Sequence, residues 1–153
     1  MSEMKNTNLA VAQFALESVS GFIDKTQNSK ETADDKNKSL KEYKTLVKKM
    51  NVLIQKNGMI GTLVFLLSKS LKNKQHKEVL KIIREWCDQD TKLDFLKEEK
   101  LKNTSKMEDA EFIEKITQLT NREYLFLTQE MMTLFGWIKR FADGMIEGEE
   151  ENE

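Results

Sequence analysis

The strongest constraint on the fold is the apolar pattern near the end of this 153-residue chain. Thr120 is followed three residues later by Glu123, which is the sequence signature of a capping box at the start of a helix. Apolar residues then recur at alternating spacings of three and four, as they do along one side of an α-helix: Tyr124, Leu127, Met131, Leu134, Ile138, Phe141 and Met145. The pattern predicts a long amphipathic helix that begins next to Thr120.

The rest of the chain has the periodicity of helices joined by polar turns, and it contains no proline. In the first helix the spacing predicts an apolar face made of Leu9, Ala12, Leu16, Val19 and Ile23. The dipeptide Asn57-Gly58 predicts a left-handed cap between the second and third helices. Before the last helix, the predicted helices cover about residues 5–26, 38–56, 59–72, 75–88 and 108–118, with a polar loop at 27–39 and a short helix and loop within 90–107.

These elements predict an all-α fold, a single compact bundle of about five to seven helices formed by residues 1–146. A chain of this length is long enough for one domain with its own core. From Asp143 to Glu153 the sequence has six acids and no base. Because like charges repel and little there is apolar, residues 147–153 are predicted to form a disordered acidic tail.

No residue set typical of catalysis or metal binding stands out. One histidine, His76, and one cysteine, Cys87, cannot complete a structural zinc site. Cys87 lies beside Trp86 on an apolar face, which favours a small core residue over a nucleophile. The paired acids Asp34-Asp35 and Asp88/Asp90 are interpreted as solvated. No phosphate-binding or nucleophile motif occurs, so we expect no enzyme activity, no cofactor and no metal.

The sequence gives no sign of a membrane segment. The longest apolar run, Met59 to Leu67, is interrupted by Gly61 and Thr62 and is shorter than the roughly 18 residues that a membrane span needs. A single cysteine suits a reducing compartment. We therefore expect a cytoplasmic protein with no membrane partner.

The charge is distributed very unevenly, although the net charge is only −1. From Lys36 to Lys74 there are ten lysines and one acid, Glu42, so this segment carries +9 and the remainder −10. Opposite charges four residues apart stabilise a helix and like charges destabilise it. The uncompensated lysines therefore indicate an anionic partner, which we expect to be nucleic acid, an acidic protein surface or the chain's own acidic tail.

The last helix has more apolar surface than one packing face needs. Leu125, Phe126, Met132 and Trp137 lie outside its main stripe. Burial within the domain and contact with a partner subunit explain this equally well. If a partner binds here, Phe126, Met132 and Trp137 are the candidate interface residues, because aromatic residues and Met are enriched at interfaces.

Three segments together resemble a known family. They are AQFAL at residues 12–16, the stretch from Tyr43 to Lys69 with its lysine-rich helix, Asn-Gly and apolar helix, and the stretch from Glu123 to Asp143 with its Trp-Ile-Lys-Arg-Phe run. In this order they are similar to the small helical subunit of the type III-B CRISPR effector, the fifth subunit of the Cmr complex. The three segments together contain 53 of the 153 residues, about a third of the chain.

The resemblance implies a small all-α protein without catalytic activity. Several copies would stack along the backbone of the effector, beside guide RNA and target RNA, and would reach toward the large subunit. Its implied partners are thus guide RNA, target RNA, the backbone and large subunits and further copies of itself. It also implies that basic residues line the RNA path: Lys44, Lys48, Lys49, Lys56, Lys139 and Arg140. Lys41 and Lys69 join these candidates from the charge pattern alone.

A second hypothesis stays open beside this one. A helical adaptor between proteins, with no nucleic-acid role, would use the last helix to dock a partner and the lysines to meet an acidic protein. Loss of the partner on Trp137→Ala, rather than on replacement of the lysines, would distinguish it. A DNA-binding regulator is less favoured, because no predicted helix places Arg, Asn or Gln where a recognition helix needs them.

Overall fold

The computed structural model describes residues 2–97 and 100–148, with side chains from residue 9 onward. Every regular element in this part of the chain is helical, so the all-α prediction is confirmed. The six α-helices lie within the predicted range of five to seven. They are α1 (Ser2–Gln27), α2 (Ala33–Ser70), α3 (Lys74–Gln89), α4 (Asp94–Lys97), α5 (Asp109–Ile116) and α6 (Asn121–Met145), with 3₁₀ turns at Thr91–Leu93 and Thr104–Lys106. Most of the predicted disordered tail, residues 149–153, lies outside the described residues.

Contacts divide the chain into two compact units. The terminal unit contains Met1–Lys49 and Leu134–Glu153, and the central unit contains Met50–Thr133. The long helices α2 and α6 each contribute one part to each unit. We describe each unit by itself.

The core of the terminal unit is aromatic and aliphatic. Phe22 of α1 stacks on Tyr43 of α2 with ring centroids 4.2 Å apart and an interplanar angle of 15°. Such offset pairs contribute roughly 0.5–1.5 kcal/mol beyond the area they bury. Leu134, Ile138 and other α6 residues complete the core from the C-terminal side. Tyr43 itself is fully buried.

The apolar face predicted for α1 is wrong in its register. Leu9 is 66% exposed and Leu16 is 38% exposed. The buried face instead consists of Val11, Phe14, Ala15, Val19 and Phe22. Both sets have helical spacing and share Val19, and the observed face buries the two phenylalanines, which have more apolar area to remove from water.

The connection between α1 and α2 is shorter than the predicted polar loop at 27–39. The hydroxyl of Thr32 accepts a hydrogen bond of 3.1 Å from the backbone N–H of Asp35, so Thr32 caps a helix that begins at Ala33. Asp34 and Asp35 lie in the first turn, where negative charge complements the helix dipole. The ammonium of Lys36 donates to the carbonyl of Gln27 at 2.7 Å and closes the turn.

The predicted break at Asn57-Gly58 is confirmed, although its geometry differs. Gly58 has φ 75° and ψ 167° and interrupts α2. The positive φ is as predicted, but this ψ belongs to a region that is essentially restricted to glycine, not to the left-handed helical region. Beyond Gly58, the backbone N–H of Ile60 donates to the Tyr124 hydroxyl at 2.8 Å.

The segment between α3 and α5 in the central unit is held by Asp88. Its carboxylate accepts hydrogen bonds from the backbone N–H groups of Thr104 and Ser105, both at 3.0 Å, and from both hydroxyls. Arg84 reaches Asp109 and the carbonyl of Ser105, each at 2.9 Å. Asp90 is only 2% exposed. The interpretation of Asp88 and Asp90 as solvated acids is therefore wrong, since both are held within the unit.

The predicted capping box is confirmed at the start of α6. The backbone N–H of Thr120 donates to Glu123 at 2.9 Å, and the backbone N–H of Glu123 donates to the Thr120 hydroxyl at 3.2 Å. The Lys100 ammonium binds the same Glu123 carboxylate at 2.7 Å. The hydrogen bonds from Lys100 and Thr120 together lower the pKa of Glu123 below its ordinary value.

One window of 18 residues within α2 reaches a mean hydropathy of 1.3, so by length and composition this helix passes a test for a membrane span. A core helix of a globular protein passes the same test. Met59, Leu63 and Leu66 in its second part are fully buried, and Gly58 interrupts the helix. One third of the window is buried within the fold, so its hydropathy is weak evidence for a membrane span.

Candidate nucleic-acid interface

Six of the eight predicted nucleic-acid contacts lie in the terminal unit. Lys41, Lys44, Lys48 and Lys49 belong to α2, and Lys139 and Arg140 belong to α6. Within residues 40–49 and 139–147 these six bases are accompanied by three acids, which are Glu42, Asp143 and Glu147. The formal charge of the two stretches is therefore +6 − 3 = +3.

Lys44 is used inside the fold. Its side chain is 7% exposed, its ammonium lies 4.0 Å from a carboxylate oxygen of Asp143, and it donates to the carbonyl of Ile146 at 2.9 Å. Ile146 directly follows the last residue of α6, so its carbonyl lies at the negative end of the helix dipole. A buried ammonium is costly unless it is paired and hydrogen-bonded. Because its amine is committed to these protein oxygens, we leave Lys44 out of the RNA-contacting set.

Lys48 lies one turn further along α2 and is paired at the surface. Its ammonium is 2.8 Å from the carboxylate of Asp143, and the two side chains are 35% and 43% exposed. An ion pair in this setting stabilises a protein by only about 0–1 kcal/mol, because water and salt screen it. A competing anion such as a phosphate can therefore replace Asp143 at Lys48 at little cost.

Lys139 and Arg140 are exposed and precede Asp143 by four and three residues on α6. Side chains at these spacings are neighbours on a helix surface, roughly 5–6 Å apart at their Cβ atoms. The Asp143 carboxylate therefore lies near the ammonium groups of Lys44 and Lys48 of α2. The two cations of α6 lie one helical turn before Asp143. We call Lys41, Lys48, Lys49, Lys139 and Arg140 the basic face.

The C-terminal end of α6 and the helices beside it enclose a groove of about 880 Å³ in the terminal unit. Leu40 and Ile146 supply apolar wall, while Lys41 and Lys44 lie near Gly148. A Cβ added at Gly148 would lie 3.6 Å from the Cγ of Lys41. The segment after α6 therefore runs close to the lysines, and Glu147 brings a negative charge to the same groove.

Lys56 and Lys69 are exposed residues of the central unit. Lys69 lies in the last turn of α2, where a cation complements the helix dipole. Both remain predicted RNA contacts. We treat them separately from the basic face, which belongs to the terminal unit.

The three candidate partner residues are each half-buried. Phe126 meets Phe95 edge to face in the central unit, with centroids 5.6 Å apart and an angle of 70°. The carbonyl of Met132 accepts a hydrogen bond of 3.1 Å from Asn51. Trp137, in the terminal unit, lies beside Phe141 and Arg140. Their partner role stays a prediction.

Some exposed apolar residues were not predicted as surface features. Phe95 and Leu125 are each 58% exposed in the central unit. Leu125 had a signal, since it lies off the main stripe of the last helix. Phe95 had none, because a short irregular segment has no periodicity from which its exposed side could be read.

The cysteine of the chain has a structural setting. Cys87 is fully buried, and burial raises the pKa of its thiol well above the ordinary value, with Asp90 and Asp88 adding to the effect. A thiol in this setting is a poor nucleophile. In the part of the chain that the structure describes, no group of three or more His, Cys, Asp or Glu side chains could hold a metal ion.

One comparison with known proteins bears on this helical chain. Residues 7–145 match the model of a protein family described as "CRISPR-associated protein (Cas_Cmr5)". The match includes residues 7–27 of α1 and all of α2 to α6, so it extends well beyond the three motifs found in the sequence.

Proposed function

Because the chain belongs to the Cas_Cmr5 family, the small subunits of the type III-B CRISPR complex, we propose that it is a non-catalytic subunit that contacts guide RNA and target RNA through its basic face. Membership implies assembly with other Cmr subunits. We propose that the backbone and large subunits are its direct partners, that further copies of the chain lie beside it, and that the complex works in the cytoplasm.

The exposure of the basic face is the observation that carries the RNA-binding proposal. Lys41, Lys49, Lys139 and Arg140 all present their side chains to solvent from two helices of one unit. Lys48 joins them through an ion pair that is weak enough to exchange. Cations arranged in this way neutralise phosphates, which is the sequence-independent part of nucleic-acid binding.

The composition of the face favours recognition of the RNA backbone over recognition of base sequence. Lysine supplies a compact point charge, whereas base-edge readout relies on bidentate groups such as Arg, Asn and Gln. Four of the five residues of the face are lysines. We therefore propose that base pairing between guide and target reads the sequence, while this subunit holds the sugar-phosphate backbone.

The non-catalytic part of the proposal has its own support. Cys87, the one thiol in the chain, is buried with a raised pKa. Asp88 is occupied by four hydrogen bonds, and Asp90 is only 2% exposed. None of these groups meets the requirement that a catalytic residue reach its substrate.

The test is RNA binding by the full chain as a function of salt, with Lys41, Lys49 and Lys139 replaced by Gln. Each lost phosphate contact makes the plot of log K against log salt less steep by about 0.7 for single-stranded RNA. The slope of the triple variant should therefore be less steep than that of the wild-type chain by about 2. The matched control replaces three exposed lysines of the central unit, Lys77, Lys81 and Lys106, by Gln. Equal slopes for the two variants would refute a localised basic face.

The adaptor hypothesis keeps one specific observation in its favour. Phe95 and Leu125 are large apolar side chains that are more than half exposed in the central unit, as at protein interfaces. If the chain is only an adaptor, Phe95→Ser with Leu125→Ser abolishes assembly, and the lysine variants leave both assembly and RNA occupancy unchanged. If the RNA-binding proposal holds, the lysine variants reduce RNA occupancy in the assembled complex.

A further inference from the structure

Trp137 forms a small aromatic and cationic platform with two residues of its own helix. The guanidinium carbon of Arg140 lies 5.2 Å from the centroid of the Trp137 ring. The ring of Phe141 is stacked with it at 6.1 Å and 26°. The spacings of three and four residues place all three side chains along one side of α6.

The platform is not a requirement of the core. Trp86, the other tryptophan in the chain, is 3% exposed, whereas Trp137 is half-buried and Arg140 is exposed. The buried residues of this part of α6 are Leu134, Phe135, Ile138 and Ala142. Trp137 therefore keeps part of a large ring at the surface, although Phe135 and Ile138 near it in the sequence are buried.

The cation at Trp137 is Arg140, whose guanidinium lies over the ring. Lys139 is exposed two residues after Trp137, on another side of α6. Trp and Arg are enriched at protein interfaces as well, so the pair alone would also suit a protein partner. The other exposed cations of the basic face, to which Arg140 belongs, favour nucleic acid, because cations hold phosphates while rings and guanidinium planes stack on bases.

We infer that Trp137, together with Arg140, is a stacking site for an unpaired nucleobase of the bound RNA. The inference rests on the proposed function and adds to it, since the basic face alone would bind only the sugar-phosphate backbone. Stacking on a ring is tolerant of sequence, because every base has a π face. The site therefore takes any exposed base at a bulge, an end or a displaced position.

The first test compares two oligonucleotides of equal length and equal phosphate number, an oligouridylate and an abasic oligomer. The full chain should bind the oligouridylate about 5- to 150-fold more tightly, with a quenching of tryptophan fluorescence that is absent in Trp137→Ala. Trp137→Ala should lose this preference and keep its affinity for the abasic oligomer. Trp137→Phe, which retains a ring, should keep part of the preference and controls for local packing.

The outcomes separate the two proposals. If the wild-type chain binds both oligomers equally with steep salt dependence, the stacking site is refuted and the basic face stands. If it binds neither oligomer, the proposed function fails and the stacking site fails with it. A Trp137→Ala variant that is folded by circular dichroism but still prefers the oligouridylate also overturns the inference.

The second test uses the assembled complex. RNA carrying 5-iodouridine is irradiated in the complex, and the chain is digested with trypsin, which isolates Trp137 in the peptide from Glu123 to Lys139. A uridine adduct on Trp137 supports the stacking site. If Trp137→Ala instead releases the chain from its partner subunits and the uridine adducts form elsewhere, Trp137 is a protein contact and the inference is wrong.

Discussion

The backbone N–H of Ile60 is capped by the hydroxyl of Tyr124, at 2.8 Å, immediately after the break in α2. Amides at the start of a helix lack partners within it, and this one obtains its partner from another helix of the central unit. A Cβ added at Gly58 would lie 3.3 Å from the same hydroxyl. The break and the hydrogen bond are therefore coupled through one oxygen atom.

We predict that Tyr124→Phe destabilises the protein by about 1 kcal/mol, because it removes one hydrogen bond and leaves the ring in place. Gly58→Ala should cost about 1–3 kcal/mol, since φ 75° with ψ 167° is a glycine conformation. Urea unfolding measures both. In the double variant the loss of stability should be smaller than the sum of the two single losses, because the Tyr124 hydroxyl that would crowd the new Cβ is gone.

The control for this prediction is Gly21→Ala. Nothing lies within 4 Å of a Cβ at Gly21, and this glycine is inside α1, where alanine stabilises a helix by about 0.5–1 kcal/mol. Gly21→Ala should therefore be neutral or stabilising. A Gly58→Ala variant as stable as Gly21→Ala would show that the break in α2 is not held in this conformation.

Asp88 should be the most sensitive carboxylate of the central unit. Burial acts to raise its pKa, but the hydrogen bonds from Ser105 and Thr104 outweigh this and leave the pKa below its ordinary value. Asp88→Asn should destabilise the protein by about 1.5–3 kcal/mol at pH 7, the range for hydrogen bonds to a charged group. Urea unfolding is the measurement, and Asp94→Asn, at a carboxylate that is 64% exposed, is the control.

The pH dependence of this effect has a definite sign. A carboxyl with a lowered pKa in the folded state contributes stability above its unfolded pKa of about 3.8, and the contribution disappears as pH falls through the folded value. The cost of Asp88→Asn should therefore shrink on acidification below pH 4. A constant cost from pH 7 to pH 3 would mean that the charge of Asp88 contributes nothing.

Glu130 should have the opposite pH dependence. Its side chain is 13% exposed, and burial, followed by the neighbouring Asp90 carboxyl, raises its pKa to about 8, although Lys92 opposes the shift. Between about pH 4.5 and 8 the folded state holds a proton that the unfolded state lacks, so stability should fall as pH rises, by at most ~1.4 kcal/mol per pH unit.

Glu130→Gln removes this titration and keeps the size of the side chain. Thermal unfolding should show a variant that is close to wild type near pH 5 and more stable at pH 8. Lys92 lies 3.9 Å from Glu130, so Lys92→Gln should raise the pKa of Glu130 further and extend the fall in stability to higher pH. A flat wild-type profile between pH 5 and 8 would contradict the prediction.

Local signals predicted much of the fold, and tertiary contacts decided the rest. The Thr120–Glu123 cap and the break at Asn57-Gly58 depend on neighbouring residues, so the sequence revealed them. The face of α1 was mispredicted because two overlapping apolar stripes share Val19, and only packing against Tyr43 selects the one that contains Phe22. Thr32 and Asp35 did carry a capping signal that would have shortened the predicted loop.

The basic residues likewise depend partly on local sequence and partly on tertiary contacts. Their presence on one stretch of α2 is a property of the sequence, and so is the expectation that an anion meets them. Lys44 borders the apolar arc one turn after Leu40, a position from which a side chain can turn either to solvent or inward. The carbonyl of Ile146 and the carboxylate of Asp143, about a hundred residues later in the chain, decide that it turns inward.

The last prediction concerns Asp143, whose carboxylate forms an ion pair with the Lys48 ammonium. Asp143→Asn removes one negative charge beside the basic face and breaks the 2.8 Å ion pair between Asp143 and Lys48. RNA affinity of the full chain should rise about fivefold, equivalent to ~1 kcal/mol for one charge near a surface, and the salt slope should increase by about 0.7. Fluorescence anisotropy over a range of salt concentrations measures both quantities.

Glu42→Gln is the matched control, because it removes the same charge from an exposed position on α2 without breaking the 2.8 Å pair between Lys48 and Asp143. If exchange of the ion pair is what matters, Asp143→Asn should exceed Glu42→Gln in both affinity and slope. Equal gains would mean that net charge alone governs binding. A loss of affinity with Asp143→Asn would show that Asp143 positions Lys48 for RNA, and the proposed exchange of carboxylate for phosphate would be wrong.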